Sequence, residues 1–184
     1  MFCPNCFNDK DFELRQEIET IIVRDEPIET CSTITYCKSC GDKVWNNEID
    51  NYNLIKAYEI YKKNHSLLTS NEIKQIREQY GISQVTFSKI LGLGEKTITR
   101  YENGCIQDNA QNNLILLAKN KYNFNVLFKR SKKLLTEAEI NKIESNLNNS
   151  LPQIVYSDKS INGGINYERQ RKQQYGIYRL QPAI

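Results

Sequence analysis

Two Cys-x-x-Cys pairs near the N-terminus, a glycine-punctuated series of short amphipathic segments in the middle, and a change of charge sign between them point to one arrangement. They predict a small α+β zinc-binding domain followed by an all-α helix-turn-helix domain. The expected division is 1–48 for the zinc-binding domain, 49–66 for a connecting helix or linker, 67–128 for the helix-turn-helix domain, and 129–184 for a C-terminal extension.

The first pair is Cys3-Pro4-Asn5-Cys6 and the second is Cys37-Lys38-Ser39-Cys40-Gly41. A two-residue gap lets both sulfurs of a pair curl around one point, so two pairs supply four thiolates for tetrahedral zinc. Gly41 falls where the second knuckle needs a relaxed backbone. Four thiolates leave no coordination position open, which predicts a structural ion. Two redox-active dithiols are the competing reading, but such a motif normally begins a helix in a much larger thioredoxin-like fold. Cys31 reads as a core or surface thiol, and Cys105 has no nearby ligand partners.

Between the pairs, Phe12, Leu14, Ile18 and Ile22 fall on one parity, and Glu13, Arg15, Glu17 and Glu19 on the other. That alternation predicts a strand whose apolar parity is dry and whose charged parity is wet. Asp25-Glu26-Pro27 reads as a turn, with a returning strand over Ser32–Tyr36. So small a sheet buries little, and zinc is expected to supply much of its folding free energy. Leu54, Ala57, Tyr58 and Tyr61 then have helical spacing, predicting a connecting helix over about Asp50–Lys63. His65, the single histidine, reads as an exposed linker residue.

The central segment is the most patterned. Thr69 and Glu72 form a capping box, so a helix is expected from Ser70, with Ile73, Ile76 and Tyr80 on one face and Gly81 at its end. Ser83 caps a second short helix whose inner face is Phe87, Ile90 and Leu91. Gly92-Leu93-Gly94 reads as a tight turn, and Glu95–Glu102 as a third helix with Ile98 and Tyr101 turned inward. Two short helices joined by a glycine-containing turn form a helix-turn-helix, whose second helix can enter the major groove. Lys96, Thr97, Thr99 and Arg100 occupy its polar surface. They suit base edges: Arg with guanine, Thr with the thymine methyl, Lys with guanine or phosphate. Gln84 lies near phosphate or a base edge, while Ser83, Ser88, Lys89 and Asn103 are candidates for backbone positioning. The same pattern of solvated Lys and Thr also occurs in helical cores that bind only proteins.

Asp108 or Asn109 caps a further helix, expected to reach about Tyr122 with Leu114, Leu117 and Ala118 on its inner edge, before Asn123–Asn125 interrupts it. Lys129–Lys133 reads equally as an anionic-partner contact or a solvated face. Thr136 and Glu139 mark another capping box, and Ile140, Ile143 and Leu147 give a short amphipathic helix suited to a homodimer seam. Leu151–Ile184 shows no convincing period and reads as a partly ordered tail that folds against a partner.

Charge supports two modules with different partners. Residues 1–60 carry six basic and twelve acidic side chains, whereas residues 61–133 carry thirteen basic and five acidic. The central module is suited to a polyanion. No apolar run approaches the roughly 18 residues needed to cross a bilayer. The N-terminus has no signal-peptide pattern, so the expected location is cytoplasmic, with no membrane partner. The same reducing setting favours metal over disulfides.

The order and spacing of Cys3-Pro-x-Cys6, Cys37-x-x-Cys40-Gly41, Ile82-Ser83-Gln84 and Arg100-Tyr101-Glu102-Asn103-Gly104 resemble the MqsA/YgiT-type antitoxins, over about residues 1–128. The resemblance implies an N-terminal zinc domain with Cys3, Cys6, Cys37 and Cys40 as ligands of a structural Zn²⁺. It also implies an Xre-like helix-turn-helix that dimerises on palindromic double-stranded operator DNA, and a cognate toxin protein contacted by the N-terminal domain. Arg100 takes the position of a base-reading arginine. Lys96 departs from the asparagine that the type member carries there, which implies a different operator or a phosphate contact.

The resulting expectation is a dimeric, sequence-specific transcriptional repressor and type II antitoxin. The alternatives are a zinc-containing transcription factor without a toxin, or a protein-binding scaffold. An enzyme is disfavoured because the sequence offers no open metal site, no histidine near a nucleophile, and no phosphate-binding glycine loop.

Overall fold

In a computed structural model that describes residues 1–148 except Asn8 and Lys10, a β-hairpin bearing the cysteine cluster is followed by seven α-helices. This is the α+β zinc-binding domain and helix-turn-helix-like all-α domain expected from the sequence. The Leu151–Ile184 tail lies outside the described residues.

The hairpin pairs β1 (Phe12–Val23) with β2 (Glu26–Cys37) antiparallel, from Phe12 opposite Cys37 to Val23 opposite Glu26. Its two-residue turn is Arg24-Asp25, with φ of 49° and 68°. Two successive positive φ values match the twist of the flanking strands. The turn therefore precedes the expected Asp25-Glu26-Pro27, and β2 begins earlier than expected and runs through Pro27. Proline is tolerated there because the backbone of Pro27 faces away from β1, so no ladder hydrogen bond is lost.

The alternation on β1 is present, but its faces are inverted. Leu14, Ile18 and Ile22 are 59, 74 and 64% exposed, while Ile21 and Val23 of the other parity turn inward beside the glutamates. The reason lies in β2, whose Ile28, Thr30, Ser32, Ile34 and Tyr36 are all buried. Helix α1 (Asn47–Asn64) packs mainly on that strand, and the residues opposite these five are Ile21, Glu19, Glu17, Arg15 and Glu13. The inner face tolerates the charge because Tyr36 donates its hydroxyl to Glu17 at 2.9 Å.

Asn46 caps α1 by accepting the N–H groups of Glu48 and Ile49, so the helix starts three residues before the expected Asp50. Asn53 of α1 accepts the N–H of Thr33 at 3.0 Å and donates to its C=O at 2.7 Å, and Lys56 donates to the C=O of Cys31. One edge of the hairpin is thus closed by side chains. Val23, Ile28, Ala57, Tyr61 and Leu67 form a small core where hairpin, helix and the following segment meet. Lys62 is fully buried there and donates to Glu59 at 2.7 Å and Ser70 at 2.9 Å. His65 is exposed just after α1, as expected, and there it stacks on Tyr61 and bonds Glu26 at 2.5 Å.

The all-α part contains α2 (Ser70–Glu78), α3 (Gln84–Leu91), α4 (Thr97–Glu102), α5 (Asn109–Ala118), α6 (Lys121–Ser131) and α7 (Glu137–Asn148). Its core joins Ile73, Ile76, Tyr80, Phe87, Ile90, Ile98, Ile115, Phe124 and Phe128. Tyr80 stacks on Phe124 and donates its hydroxyl to the Ala118 carbonyl at 2.6 Å. Asn120 ends the expected long helix early, because its side chain accepts the N–H groups of Tyr122 and Asn123 and starts α6. Asn123–Asn125 therefore lies within a helix. Ile115 rather than the exposed Leu117 lines the core beside Ala118, with Leu114 packed against it. The apolar face of α7 packs on this same core through Ile143 and Leu147, and Asn146 donates to the Tyr80 carbonyl at 2.8 Å. That face is consumed within the chain and is not the expected homodimer seam. Lys132 is paired with Glu144 at 2.5 Å, while Lys129, Arg130 and Lys133 are exposed.

The capping box at α2 is complete: the Thr69 hydroxyl accepts the Glu72 N–H, and the Thr69 N–H donates to Glu72 at 2.8 Å. The Thr69 N–H and hydroxyl hold the Glu72 carboxyl below its usual range. A depressed carboxylate contributes stability at neutral pH that is lost as the pH falls through its folded value. Thr69→Ala is expected to cost about 0.5–2 kcal/mol, read from denaturant midpoints at pH 7, with a smaller difference in acid. An unchanged midpoint at pH 7 would refute this.

Candidate functional site

At the open end of the hairpin the Sγ atoms of Cys3, Cys6, Cys37 and Cys40 all lie within 4.8 Å of one another. Cys3 and Cys40 are 3.6 Å apart and Cys6 and Cys37 3.5 Å. Zinc–sulfur bonds of about 2.3 Å in a tetrahedron put sulfurs roughly 3.8 Å apart, so the donor set fits the ion. These four cysteines form a structural Zn²⁺ site with no open coordination position.

The sequence builds both knuckles alike. The Phe7 N–H returns to the Cys3 carbonyl at 2.9 Å, and the Gly41 N–H to the Cys37 carbonyl at 2.8 Å. Phe7 and Gly41 both have positive φ, 60° and 80°, which glycine adopts freely and phenylalanine does not. Asn5 donates to Asp42, tying one knuckle to the other. Cys3 and Cys37 are buried with Val44 and the half-buried Phe12, whereas Cys6 and Cys40 face solvent. Burial opposes ionisation of Cys37, but the N–H groups of Cys40 and Ser39 together with the neighbouring thiols lower it to about 6. At Cys40 the Asp42 N–H favours the thiolate, yet burial and the three other sulfurs raise it to about 12. Crowded thiols resist losing all their protons, and a divalent cation at their centre removes that resistance. Cys31 lies on the exposed face of the hairpin and Cys105 packs against the helical core, both outside the cluster.

The helix-turn-helix is α3, a turn that begins with Gly92 in the left-handed region at φ 69°, and α4. Lys96 is the N-cap residue of α4, so that helix begins two residues after the expected Glu95. Ile98 and Tyr101 are buried beneath it. Lys96, Arg100 and Asn103 are exposed, and Thr97 and Thr99 are half-buried. Ser83 is engaged as the α3 cap, accepting the Thr86 N–H at 3.0 Å. Ser88 is buried, its hydroxyl 3.4 Å from the Glu95 carbonyl. Lys89, half-buried in the last turn of α3, lies in the field of Glu139 on α7.

Behind the exposed side chains lies a polar framework. Arg77 of α2 donates to both carboxylate oxygens of Glu102, at 2.6 and 2.8 Å, and to the Ile82 carbonyl at 2.9 Å. Glu102 also accepts the Gln84 amide at 2.8 Å, and the Gln84 carbonyl oxygen accepts the Thr99 hydroxyl at 2.8 Å. Gln84 and Thr99 thus brace α3 against α4. Glu102 belongs to the Arg100–Gly104 motif, but Arg77 stands twenty-five positions away from Glu102 and no local spacing signals their pairing.

A four-thiolate zinc module joined to a helix-turn-helix defines a metal-stabilised DNA-binding regulator. The chain belongs to the MqsA family, the antitoxin component of bacterial toxin–antitoxin systems, whose family model matches residues 1–139. A search of curated proteins returned no match. Members of this family are non-catalytic proteins that act by binding, and membership suggests toxin–antitoxin and DNA interactions in general. Among the described residues, no helix is long and apolar enough to cross a membrane.

Proposed function

We propose that the chain is a cytoplasmic, dimeric transcriptional repressor that occupies a palindromic operator through α4 and masks a cognate toxin stoichiometrically. The observation that carries this reading is the exposed set Lys96, Arg100 and Asn103 on a short helix braced from behind by Arg77, Glu102, Gln84 and Thr99. Braced side chains fix the register of the helix, and the unbraced ones reach the groove. Lys96 and Arg100 read bases or phosphate, with Thr97 against a thymine methyl. Ser83, Lys89 and Asn103 flank the helix as backbone-positioning groups, and Gln84 and Thr99 contribute by bracing it.

One six-residue helix offers little contact, and two can read half-sites about one turn of duplex apart. Leu116, Leu117, Tyr122 and Val126, exposed apolar side chains on the adjoining helices α5 and α6, supply the surface for pairing two copies. The acidic hairpin supports a basic toxin surface as the second partner.

Enrichment of random duplexes by the wild-type protein, compared with Lys96→Ala/Arg100→Ala, tests the operator reading. A palindrome is expected for wild type, with affinity reduced about 10–100-fold when Arg100 alone is truncated and further in the double variant. A folded, zinc-loaded dimer that enriches no sequence would overturn the operator reading.

A further inference from the structure

We infer that the open edge of β1 is a docking site for an extended segment of a partner protein, one whose side chains alternate basic and apolar. This deepens the toxin-masking reading and rests on it only for which protein supplies the segment.

The hydrogen-bond pattern defines the edge. Thr33 of β2 turns its N–H and C=O away from β1, toward Asn53. Its partner Gln16 is therefore a non-bonded position, and by alternation Leu14, Gln16, Ile18, Thr20 and Ile22 all point their backbone groups outward from β1. No described residue bonds them. The two edges of the hairpin thus differ: that of β2 is covered by Asn53, Lys56 and the Val44 segment, and that of β1 is left available by the described residues. A free edge of this length is a template for strand addition.

The side chains specify what fits. A strand laid on this edge would place alternate residues beside Leu14, Ile18 and Ile22 on the exposed face, where apolar contact removes their area from water. Its other residues would fall beside Glu13, Glu17 and Glu19. Next to Glu19 lies a cleft of about 450 Å³ between β1 and the first half of α1, walled by Ile21, Trp45, Asp50 and Leu54. Trp45, the only tryptophan, is 73% exposed at its mouth. An aromatic face, two carboxylates and an apolar floor are the surroundings that an arginine or lysine side chain seeks.

Charge disfavours a second copy as occupant. An antiparallel register centred on Glu17 or Glu19 sets that glutamate against itself. One centred on Ile18 sets Glu17 against Glu19. Like charges directly opposite destabilise a pair of strands.

The test titrates the isotope-labelled full chain with an octapeptide alternating lysine and valine, and separately with one alternating glutamate and valine. The expected response to the basic peptide is shifted, exchange-protected amides at Leu14, Gln16, Ile18, Thr20 and Ile22, with at least about tenfold weaker binding of the acidic peptide. Thr20→Pro removes one outward N–H without touching the ladder to β2 and is expected to abolish the response while zinc content is retained. Should that variant fail to fold, Trp45→Ala and Glu19→Lys serve instead, each expected to weaken the basic peptide about tenfold. Absence of a response, a response located elsewhere, or equal binding of the two peptides would overturn the inference. So would concentration-dependent protection of the same amides without peptide, which would assign the edge to a second copy. The toxin reading fails separately, if the product of the adjacent reading frame does not co-purify with the wild-type chain.

Discussion

Cys37→Ser is expected to abolish stoichiometric zinc binding and unfold the cysteine end of the hairpin. A serine hydroxyl is a hard, poorly ionised donor where a thiolate is required, and three thiolates cannot close the tetrahedron. The cluster around the ion consists of Cys3, Cys37, Val44 and part of Phe12, which is far too little apolar area to hold two knuckles. In zinc-finger peptides the ion contributes on the order of 10–16 kcal/mol, more than such a module can supply by burial. The loss should be graded along the strands, because Val23 and Ile28 at the far end are anchored on Ala57 and Tyr61. Metal analysis with hydrogen exchange reads the outcome: zinc lost, protection lost near Phe12 and Cys37, protection retained near Val23 and Ile28. Full zinc occupancy in the variant would contradict the assignment of Cys37 as a ligand.

Arg77→Ala is expected to cost about 3–5 kcal/mol, because Glu102 has a side chain only 4% exposed and would be left buried without its bidentate partner. For a chain of this size that corresponds to a fall in Tm on the order of 10 °C. The effect should reach the recognition surface as well, since Glu102 also holds Gln84, and Gln84 holds Thr99. Adding Glu102→Gln to Arg77→Ala should recover part of the loss by removing the stranded charge, which a double-mutant cycle on thermal unfolding measures. A single variant within about 0.5 kcal/mol of wild type would show that the pair is screened by water and does not organise α4.

What the sequence made legible was local. The zinc ligands followed from two short spacings, and the Thr69, Ser83, Asp108 and Thr136 caps from residues within one turn of each other. The inverted hairpin was not legible, because β1 read alone has its apolar residues on the parity that ends up in solvent. The deciding term was the buried face of β2 under α1, an arrangement that depends on residues some twenty positions later. The division between α5 and α6 was missed for a related reason: the cap at Asn120 outweighed an apolar period that Leu117 seemed to extend. Arg77 with Glu102 is a pairing that only the folded chain creates.

Helix α7 closes the helical core with Ile143 and Leu147, roughly a hundred residues after Cys40, the last zinc ligand, has been added to the chain. At typical synthesis speeds of about 5–20 residues per second, that interval is roughly 5–20 s. The two halves are therefore born on different clocks. The metal half has every donor it needs while the helical half still lacks its lid, so zinc loading can precede completion of the proposed groove-reading surface in every newly made molecule.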